Sequence, residues 1–123
     1  MPLVLVVDDE PLIRWSLSEG LTESGYVVRL AANAAEARAA LAALGGQPLV
    51  VVLDLRLPDA VDLSLLGEIR RRWPGVPVVM MSAHGSGDDM KHAVDLGAYR
   101  FVEKPFDVTE MVRLVGEAWE KRA

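Results

Sequence analysis

Five polar residues follow apolar segments of the chain, at positions where buried strands would end. Asp8 and Asp9 come directly after an apolar run, and Asp54 follows a second one. Ser82 and Lys104 follow two further runs. Carboxylates that lie close together repel one another and raise one another's pKa. A site that gathers the three acids therefore requires positive charge, which the lysine and a metal ion could supply.

The donor atoms indicate which metal and which reaction to expect. Oxygen ligands suit a hard cation, and Mg²⁺ is the one we expect. Three carboxylates, one divalent cation and one lysine sum to zero charge, so a phosphoryl group would enter a site that already offers it two cationic partners. The set therefore predicts phosphoryl transfer to an aspartate, a reaction that depends mainly on positioning and charge neutralisation.

Each of these residues has a simpler explanation when it is taken alone. An acidic pair after a strand commonly caps a helix, and Asp9 or Glu10 could cap a helix that begins near Pro11. Asp54 could be an ordinary loop acid, Ser82 a turn hydroxyl, and the lysine a solvated side chain. We favour the functional interpretation because all of them stand at strand ends, which unrelated loop residues have no reason to do.

The elements that must position the site are short apolar runs separated by segments of helical period. The predicted strands are Leu3–Val7, Tyr26–Ala31, Leu49–Leu53, Val76–Met81 and Tyr99–Glu103. Between them, apolar residues recur every three or four positions, as a helix requires. The predicted helix N-caps are Asn33, Ser86 and Asp107, and the predicted helix ends are Gly25, Gly45 and Gly97.

The composition of the runs predicts the strand order. The first, third and fourth are unbroken and apolar, as in strands covered on both faces. Arg29 interrupts the second, and Arg100 and Glu103 interrupt the fifth, which places these two at the edges. Right-handed crossovers then favour an α/β fold of the (βα)₅ type, a doubly wound parallel five-stranded sheet of order 2-1-3-4-5. Ligands of such a sheet bind beyond the carboxyl ends of its strands.

Length and composition limit the class of protein. The chain has 123 residues, 51% of them hydrophobic, and a formal net charge of −5, which suits one globular domain and excludes a disordered acidic tail. The acidic balance argues against direct binding of nucleic acid, because the basic run Arg70–Arg72 is short. No cysteine is present, so disulfides and thiolate sites are excluded. Since no targeting signal and no apolar stretch near about 18 residues occurs, we expect a soluble, cytoplasmic protein without a membrane partner.

These features together resemble the receiver domains of two-component response regulators, essentially from end to end. The resemblance rests on Asp8–Asp9, on Asp54 followed by Leu-Arg-Leu-Pro, on Ser82–Ala83 and on Lys104–Phe106. Three segments make it closer to the NtrC-like subfamily, in which an ATPase module and a DNA-binding module follow the receiver: Ile13–Trp15, Met81–His84 and Lys104–Asp107. It implies the flavodoxin-like receiver fold, with a single receiver domain over residues 1–123. That length leaves no room for an output domain, so we expect a stand-alone or an excised receiver.

The resemblance also implies roles for the acidic residues. Asp54 would be the phosphoacceptor. Asp9, Asp54 and the backbone carbonyl of Arg56 would bind Mg²⁺ directly, while Asp8 would act mainly through a metal-bound water. The side chain of Arg56 places a bulky cation beside the site, and we expect it to alter the rate of phosphoryl hydrolysis.

For the phosphoryl group and the switch, the resemblance implies a second set of residues. Lys104, Ser82 and the backbone N–H of Ala83 would bind phosphoryl oxygens, and the Lys104–Pro105 peptide bond would be cis. Ser82 would move toward the phosphoryl group while Phe101 turns inward. Phe101 could equally be an ordinary half-buried strand residue.

The partners implied are a sensor histidine kinase, whose phosphohistidine is the donor, and an output domain or downstream protein that acts in transcription. The domain would catalyse its own phosphorylation and dephosphorylation without being a metabolic enzyme. Helix 4, strand 5 and helix 5 would form the switch face and a phosphorylation-dependent homodimer. We expect the segment Ser86–Asp89, at the start of helix 4, to move on phosphorylation.

Two segments qualify the resemblance. After Pro58 the family usually has an acid followed by a glycine, where this chain has Val61 and Asp62, and we expect Asp62 to cap the third helix instead. His84 follows the serine of strand 4 closely enough to line the site, although an exposed loop histidine is the simpler interpretation.

Three other classes of protein stay open. A phosphatase or mutase that uses an aspartyl phosphate commonly has a second acid two residues after the nucleophile, where this chain has Arg56. A flavin-binding electron carrier shares the strand order, but Asp8 and Asp9 stand where it needs a phosphate-binding loop. A degenerate receiver that serves only as an interaction platform is the least economical, because the five site residues are intact.

Overall fold

The chain folds into five strands that alternate with five helices. The computed structural model describes residues 1–60, 62–83 and 87–122. The strands are β1 (Leu3–Val7), β2 (Val27–Ala31), β3 (Leu49–Asp54), β4 (Val78–Ser82) and β5 (Arg100–Glu103). The helices are α1 (Pro11–Glu23), α2 (Ala34–Leu44), α3 (Ser64–Arg72), α4 (Gly87–Asp95) and α5 (Val108–Glu120). Within the described residues, no helix combines the length and the apolar character needed to cross a membrane.

The strands form one parallel sheet in the order β2-β1-β3-β4-β5, as the sequence predicts. Every residue of β3 and β4 is buried, as is every residue of β1 after Leu3, because helices cover both faces. The edge strand β2 leaves Val27 and Leu30 exposed. Arg29, which interrupts the apolar run of β2, therefore identified β2 correctly as an edge strand.

Two apolar cores lie on opposite faces of the sheet, because successive side chains of a strand point to opposite sides. Leu5 and Val7 of β1 belong to the core that α2, α3 and α4 cover. Val4 and Val6 belong to the core that α1 and α5 cover. The strands are thus held from both faces, which fixes the positions of their carboxyl ends.

Several predicted boundaries differ by one or two residues, for identifiable reasons. The N–H groups of Gly25 and Tyr26 donate to the Thr22 and Leu21 carbonyls, so Tyr26 belongs to the turn that ends α1 and not to β2. Gly25 has a φ of 95°, which glycine adopts without strain. β4 begins only after Pro77, which has no N–H to donate to a neighbouring strand.

The predicted helix caps are confirmed in part. Asn33 and Asp107 accept N–H bonds at the starts of α2 and α5. The alternative that Asp9 or Glu10 caps α1 is not confirmed, since Glu10 stands at the N-cap position and its side chain makes no capping bond to the helix. Asp62 accepts the N–H of Ser64 at 3.0 Å from just outside α3, whose N-cap residue is Leu63. Ser86 lies outside the described residues.

Candidate functional site

The sheet register brings the predicted site residues to one edge. Asp8 follows β1, whose last residue Val7 pairs with Leu53, directly before Asp54. Ser82 ends β4, and its carbonyl accepts the N–H of Lys104 at 2.8 Å. The expectation that the strand ends converge is therefore met in the geometry.

The ammonium group of Lys104 forms the centre of this site. Its Nζ lies 2.7 Å from Asp8 Oδ2, 3.1 Å from Glu10 Oε1 and 3.3 Å from Asp54 Oδ2. The lysine side chain is only 8% exposed. One nearly buried cation thus contacts three carboxylates, which is the neutralising partner that the cluster of acids requires.

Asp8 is held in place from both sides of its carboxylate. The residue is fully buried, and its Oδ1 accepts the N–H of Glu10 at 2.8 Å while Oδ2 binds the lysine. The guanidinium of Arg14 donates to the Asp8 backbone carbonyl at 2.8 Å. Asp8 therefore stabilises the turn from β1 into α1 and orients Lys104. Its position in the sequence is also typical of a helix-capping pair.

The same surroundings change the ionisation of the central pair. Burial, together with the negative charge of Asp8, raises the pKa of Asp54 from 3.8 to about 6, against the opposing effects of Lys104 and of the Arg56 N–H. Burial by itself would lower the pKa of Lys104, but its hydrogen bond with Asp8 and the charge of Asp54 outweigh this, and the net shift is upward. At neutral pH the site therefore holds an ionised Asp54 beside a firmly charged lysine.

The acidic residues of the site fit a divalent cation. Asp8, Asp9, Glu10 and Asp54 each offer a carboxylate oxygen, and these oxygens all lie within 4.8 Å of one another. Only oxygen donors are present in this set, which suits a hard ion such as Mg²⁺. Burial and the negative charge of Asp8 both make the ionised form of Asp54 unfavourable, and a cation bound among these carboxylates would offset that cost.

Glu10 is a site residue that the sequence analysis missed. It was considered as a helix cap, yet its carboxylate contacts the ammonium of Lys104, 94 residues away in sequence. The signal that could have identified it is the third consecutive acid at the end of β1. The site thus contains four carboxylates, one more than predicted.

The remaining predicted residues lie around this centre. Ser82 is fully buried, whereas Ala83 and the side chain of Arg56 are exposed. Phe101 is 9% exposed and packs into the core beneath α4, so its side chain points inward. The Lys104–Pro105 peptide bond is cis, as the resemblance implied. His84, like Val61, lies outside the described residues.

The segment after β3 is tied to its surroundings at several points. The N–H of Leu55 donates to the Met81 carbonyl at 2.9 Å, and Leu57 and Ala60 exchange two backbone hydrogen bonds of 2.8 and 3.2 Å. The carboxylate of Asp59 accepts N–H bonds from the first two residues of α2. Nothing in the amino-acid sequence indicates this long-range contact.

The chain is similar to known proteins in both sequence and structure. Residues 4–116 match the response regulator receiver domain family. The DNA-binding transcriptional regulator NtrC of Escherichia coli K12 is 40% identical over 116 residues, which are 94% of this chain but only 24% of that protein. The crystal structure of the receiver domain of NtrX from Brucella abortus is 38% identical with a TM-score of 0.87, covering 96% of this chain and 98% of that one. The solution structure of the beryllofluoride-activated NtrC4 receiver domain dimer is 35% identical with a TM-score of 0.88, covering 100% of both chains.

Proposed function

The chain belongs to the response regulator receiver domain family, on its NtrC-like side, and we propose from this that Asp54 accepts a phosphoryl group and thereby controls an output. The observation that carries the proposal is the contact of one nearly buried ammonium with Asp8, Glu10 and Asp54. A signalling domain, and not a metabolic enzyme, is the class to which this family belongs.

The chemistry requires an ionised Asp54. Above about pH 6 the carboxylate is available as the nucleophile, since its raised pKa still lies below neutrality. One of its oxygens attacks the phosphorus of an imidazole-bound phosphoryl group, the P–N bond breaks and the imidazole leaves with the bonding electron pair. Lys104 can then pair with a phosphoryl oxygen in place of Glu10, its exposed partner. We propose Ser82 and the N–H of Ala83 as the donors to a second phosphoryl oxygen.

Mg²⁺ would bind among the carboxylates of the same pocket. We assign Asp9, Asp54 and the backbone carbonyl of Arg56 as its protein ligands, with Asp8 acting mainly through water. The ion would neutralise negative charge on the carboxylates and on the incoming phosphoryl group. The protein's own contribution is to hold Asp8 and Lys104 in fixed positions beside the acceptor.

The output face in this proposal is the surface of α4, β5 and α5. Of the nine residues of α4, Ala93 is the fully buried one, so the helix is held by few apolar contacts and moves at low cost. A cavity of about 530 Å³ lies between α4 and β5 and is lined by Phe101, Met90 and Val94. Movement of Ser82 and Phe101 would reshape this face and favour a dimer, the state described for the activated NtrC4 receiver.

The partners follow from the family. The phosphodonor is the phosphohistidine of a sensor histidine kinase, the output domain or downstream protein acts in transcription, and the cytoplasm is the compartment in which both meet the receiver. The chain spans about a quarter of the length of NtrC. Direct binding of nucleic acid by this chain is not part of the proposal, because its net charge is −5.

The test is direct phosphorylation. The protein is incubated with Mg²⁺ and acetyl phosphate, and intact mass spectrometry is used to detect one added phosphoryl group. We expect the adduct on the wild type, its loss in Asp54→Asn, and its retention in Asp62→Asn, which changes an exposed acid of the same loop. An adduct of equal yield on Asp54→Asn would disprove the assignment, as would the absence of any adduct on the wild type.

The switch is tested separately by hydrogen exchange with beryllofluoride as the phosphoryl mimic. We expect exchange within Gly87–Asp95 to change when the mimic and Mg²⁺ are added, and light scattering to show a dimer. Unchanged exchange across α4 would contradict the proposed movement and leave the phosphorylation assay unaffected.

A further inference from the structure

The first turn of α2 is capped by two different acceptors. A helix begins with four N–H groups that have no partner inside the helix. The first bond of the helical ladder runs from the N–H of Ala37 to the Asn33 carbonyl at 3.1 Å, and Asn33 Oδ1 accepts the N–H of Glu36 at 2.8 Å. The N–H groups of Ala34 and Ala35 donate to Asp59 Oδ1 and Oδ2 at 2.7 and 3.0 Å. Asp59 therefore uses both of its carboxylate oxygens on two successive amides.

Asp59 does not belong to α2 or to the segment before it. It lies 25 residues after Ala34, in the loop that leaves β3 directly after Asp54. Its N–H bonds, with that of Ala34 first, and the nearby charge of Arg38 hold the pKa of Asp59 below its usual range, so the carboxylate stays charged at the positive end of the helix dipole. The contact is thus a cross-link between two elements, whereas Asn33 is a local cap.

The loop between Asp54 and Asp59 transmits this constraint. The side chains of Leu55 and Leu57 are buried, at 4% and 3% exposure. Arg56 stands between them, and its N–H donates to Asp54 Oδ1 at 3.3 Å. Because the loop is held at alternate residues, it has little conformational freedom. A displacement of Asp59 would therefore also displace Arg56.

The neighbouring helices reinforce the same arrangement. Arg38 of α2 forms an ion pair of 3.0 Å with Glu68 of α3, so α2 contacts both the loop and the helix that follows it. The loop therefore has one end in β3, one end in α3, and its middle fixed to α2 through Asp59.

We propose that Asp59 is a positioning residue for the phosphoryl-transfer site, acting by holding the loop of Arg56 against the first turn of α2. The inference rests on the proposed function, because it concerns the same metal and phosphoryl pocket.

The test compares two variants, each of which removes one of the two caps of α2. Asp59→Ala removes the cross-link, and Asn33→Ala removes a cap of the same first turn without touching the loop. Mg²⁺ binding to each protein is measured by isothermal titration calorimetry. We expect Asp59→Ala to weaken Mg²⁺ binding roughly tenfold, the lower end of the effect of outer partners of metal ligands. Asn33→Ala should bind Mg²⁺ within about twofold of wild type even though it also destabilises α2.

Phosphorylation by acetyl phosphate supplies a second readout. In Asp59→Ala the Mg²⁺ concentration for half-maximal rate should rise by the same factor, while the rate at saturating Mg²⁺ stays near that of wild type. Asp59→Asn keeps an acceptor for one of the two amides, so it should fold and recover part of the affinity. Asp62→Asn removes the same charge from the same loop and should have no such effect, which separates positioning from electrostatics.

The outcomes are distinct. Equal Mg²⁺ affinities for Asp59→Ala and Asn33→Ala would overturn the inference, because the acid would then act only through helix stability. Equal losses in Asp59→Asn and Asp62→Asn would overturn it in favour of a charge effect. If the wild type itself neither binds Mg²⁺ nor accepts a phosphoryl group, the proposed function fails, and this inference fails with it.

Discussion

Removing the charge of Asp54 should stabilise the metal-free protein, although this residue is the proposed phosphoacceptor. Folding raises its pKa from 3.8 to about 6 because the carboxyl is buried beside Asp8. Ionisation of Asp54 therefore opposes folding. The penalty is fully present above about pH 6 and disappears as the pH falls to the unfolded value of 3.8.

The size of the effect follows from the pKa. A rise from 3.8 to about 6 corresponds to about 3 kcal/mol. Solvent reaches the pocket past the exposed Asp9 and Glu10 and screens part of this, so we expect about 1.5 kcal/mol. Asp54→Asn leaves Lys104 bound to Asp8 and Glu10, and its amide oxygen can still accept the Arg56 N–H.

The assay is urea unfolding in EDTA at pH 8, 6 and 4. Asp54→Asn should exceed the wild type by about 1.5 kcal/mol at pH 8, and the difference should vanish toward pH 4. Asp62→Asn is the control, because hydrogen bonds with Ser64 lower the pKa of Asp62 and its removal should not stabilise. A variant less stable than wild type at pH 8 would refute the claim that Asp54 is held in an unfavourable charged state.

Three further predictions concern packing, metal and hydrolysis. A Cβ at Gly45 would collide with Nε1 of Trp73 and lie 2.9 Å from the Leu41 carbonyl oxygen. Gly45→Ala should therefore cost about 1–3 kcal/mol in urea unfolding, and an equal loss in Gly46→Ala, where the new Cβ meets nothing within 4 Å, would contradict this. Mg²⁺ at about 100 times its dissociation constant should stabilise the wild type by about 2.7 kcal/mol, measured by thermal unfolding, and an equal gain in Asp54→Asn would exclude that ligand. Arg56→Ala should lose its phosphoryl group faster than wild type when the adduct is followed by mass spectrometry, and an unchanged rate would rule out a role for the guanidinium.

The fold was predictable because its signals are local. Unbroken apolar runs indicated the central strands, and Arg29 indicated an edge, since burial on two faces leaves no place for an unpaired charge. The ends of the strands were less predictable where a backbone hydrogen bond outside the strand determines them. Tyr26 has the composition of a strand residue, yet its N–H completes the end of α1.

The site was predictable as far as chain position determines it. Asp8, Asp54 and Lys104 could be brought together from strand order alone. Glu10 and Asp59 could not, because their partners depend on how a side chain leaves a turn and on the path of a loop. An exposed acid beside a helix looks the same in sequence whether it caps that helix, binds a lysine or reaches another helix 25 residues away.

The bond between Lys104 and Asp8 joins residues 96 positions apart, and this separation bears on when the protein becomes competent. Synthesis proceeds from the N-terminus, so the acids of β1 and β3 leave the ribosome well before the lysine does. Until β5 has been made and added to the sheet, those acids lack their common cation. A stalled chain, or one cut before β5, carries the proposed acceptor Asp54 without the lysine that pairs with its charge. The arrangement of Asp8, Asp54 and Lys104 on which the proposed function depends is therefore complete only when the whole domain has been translated and folded.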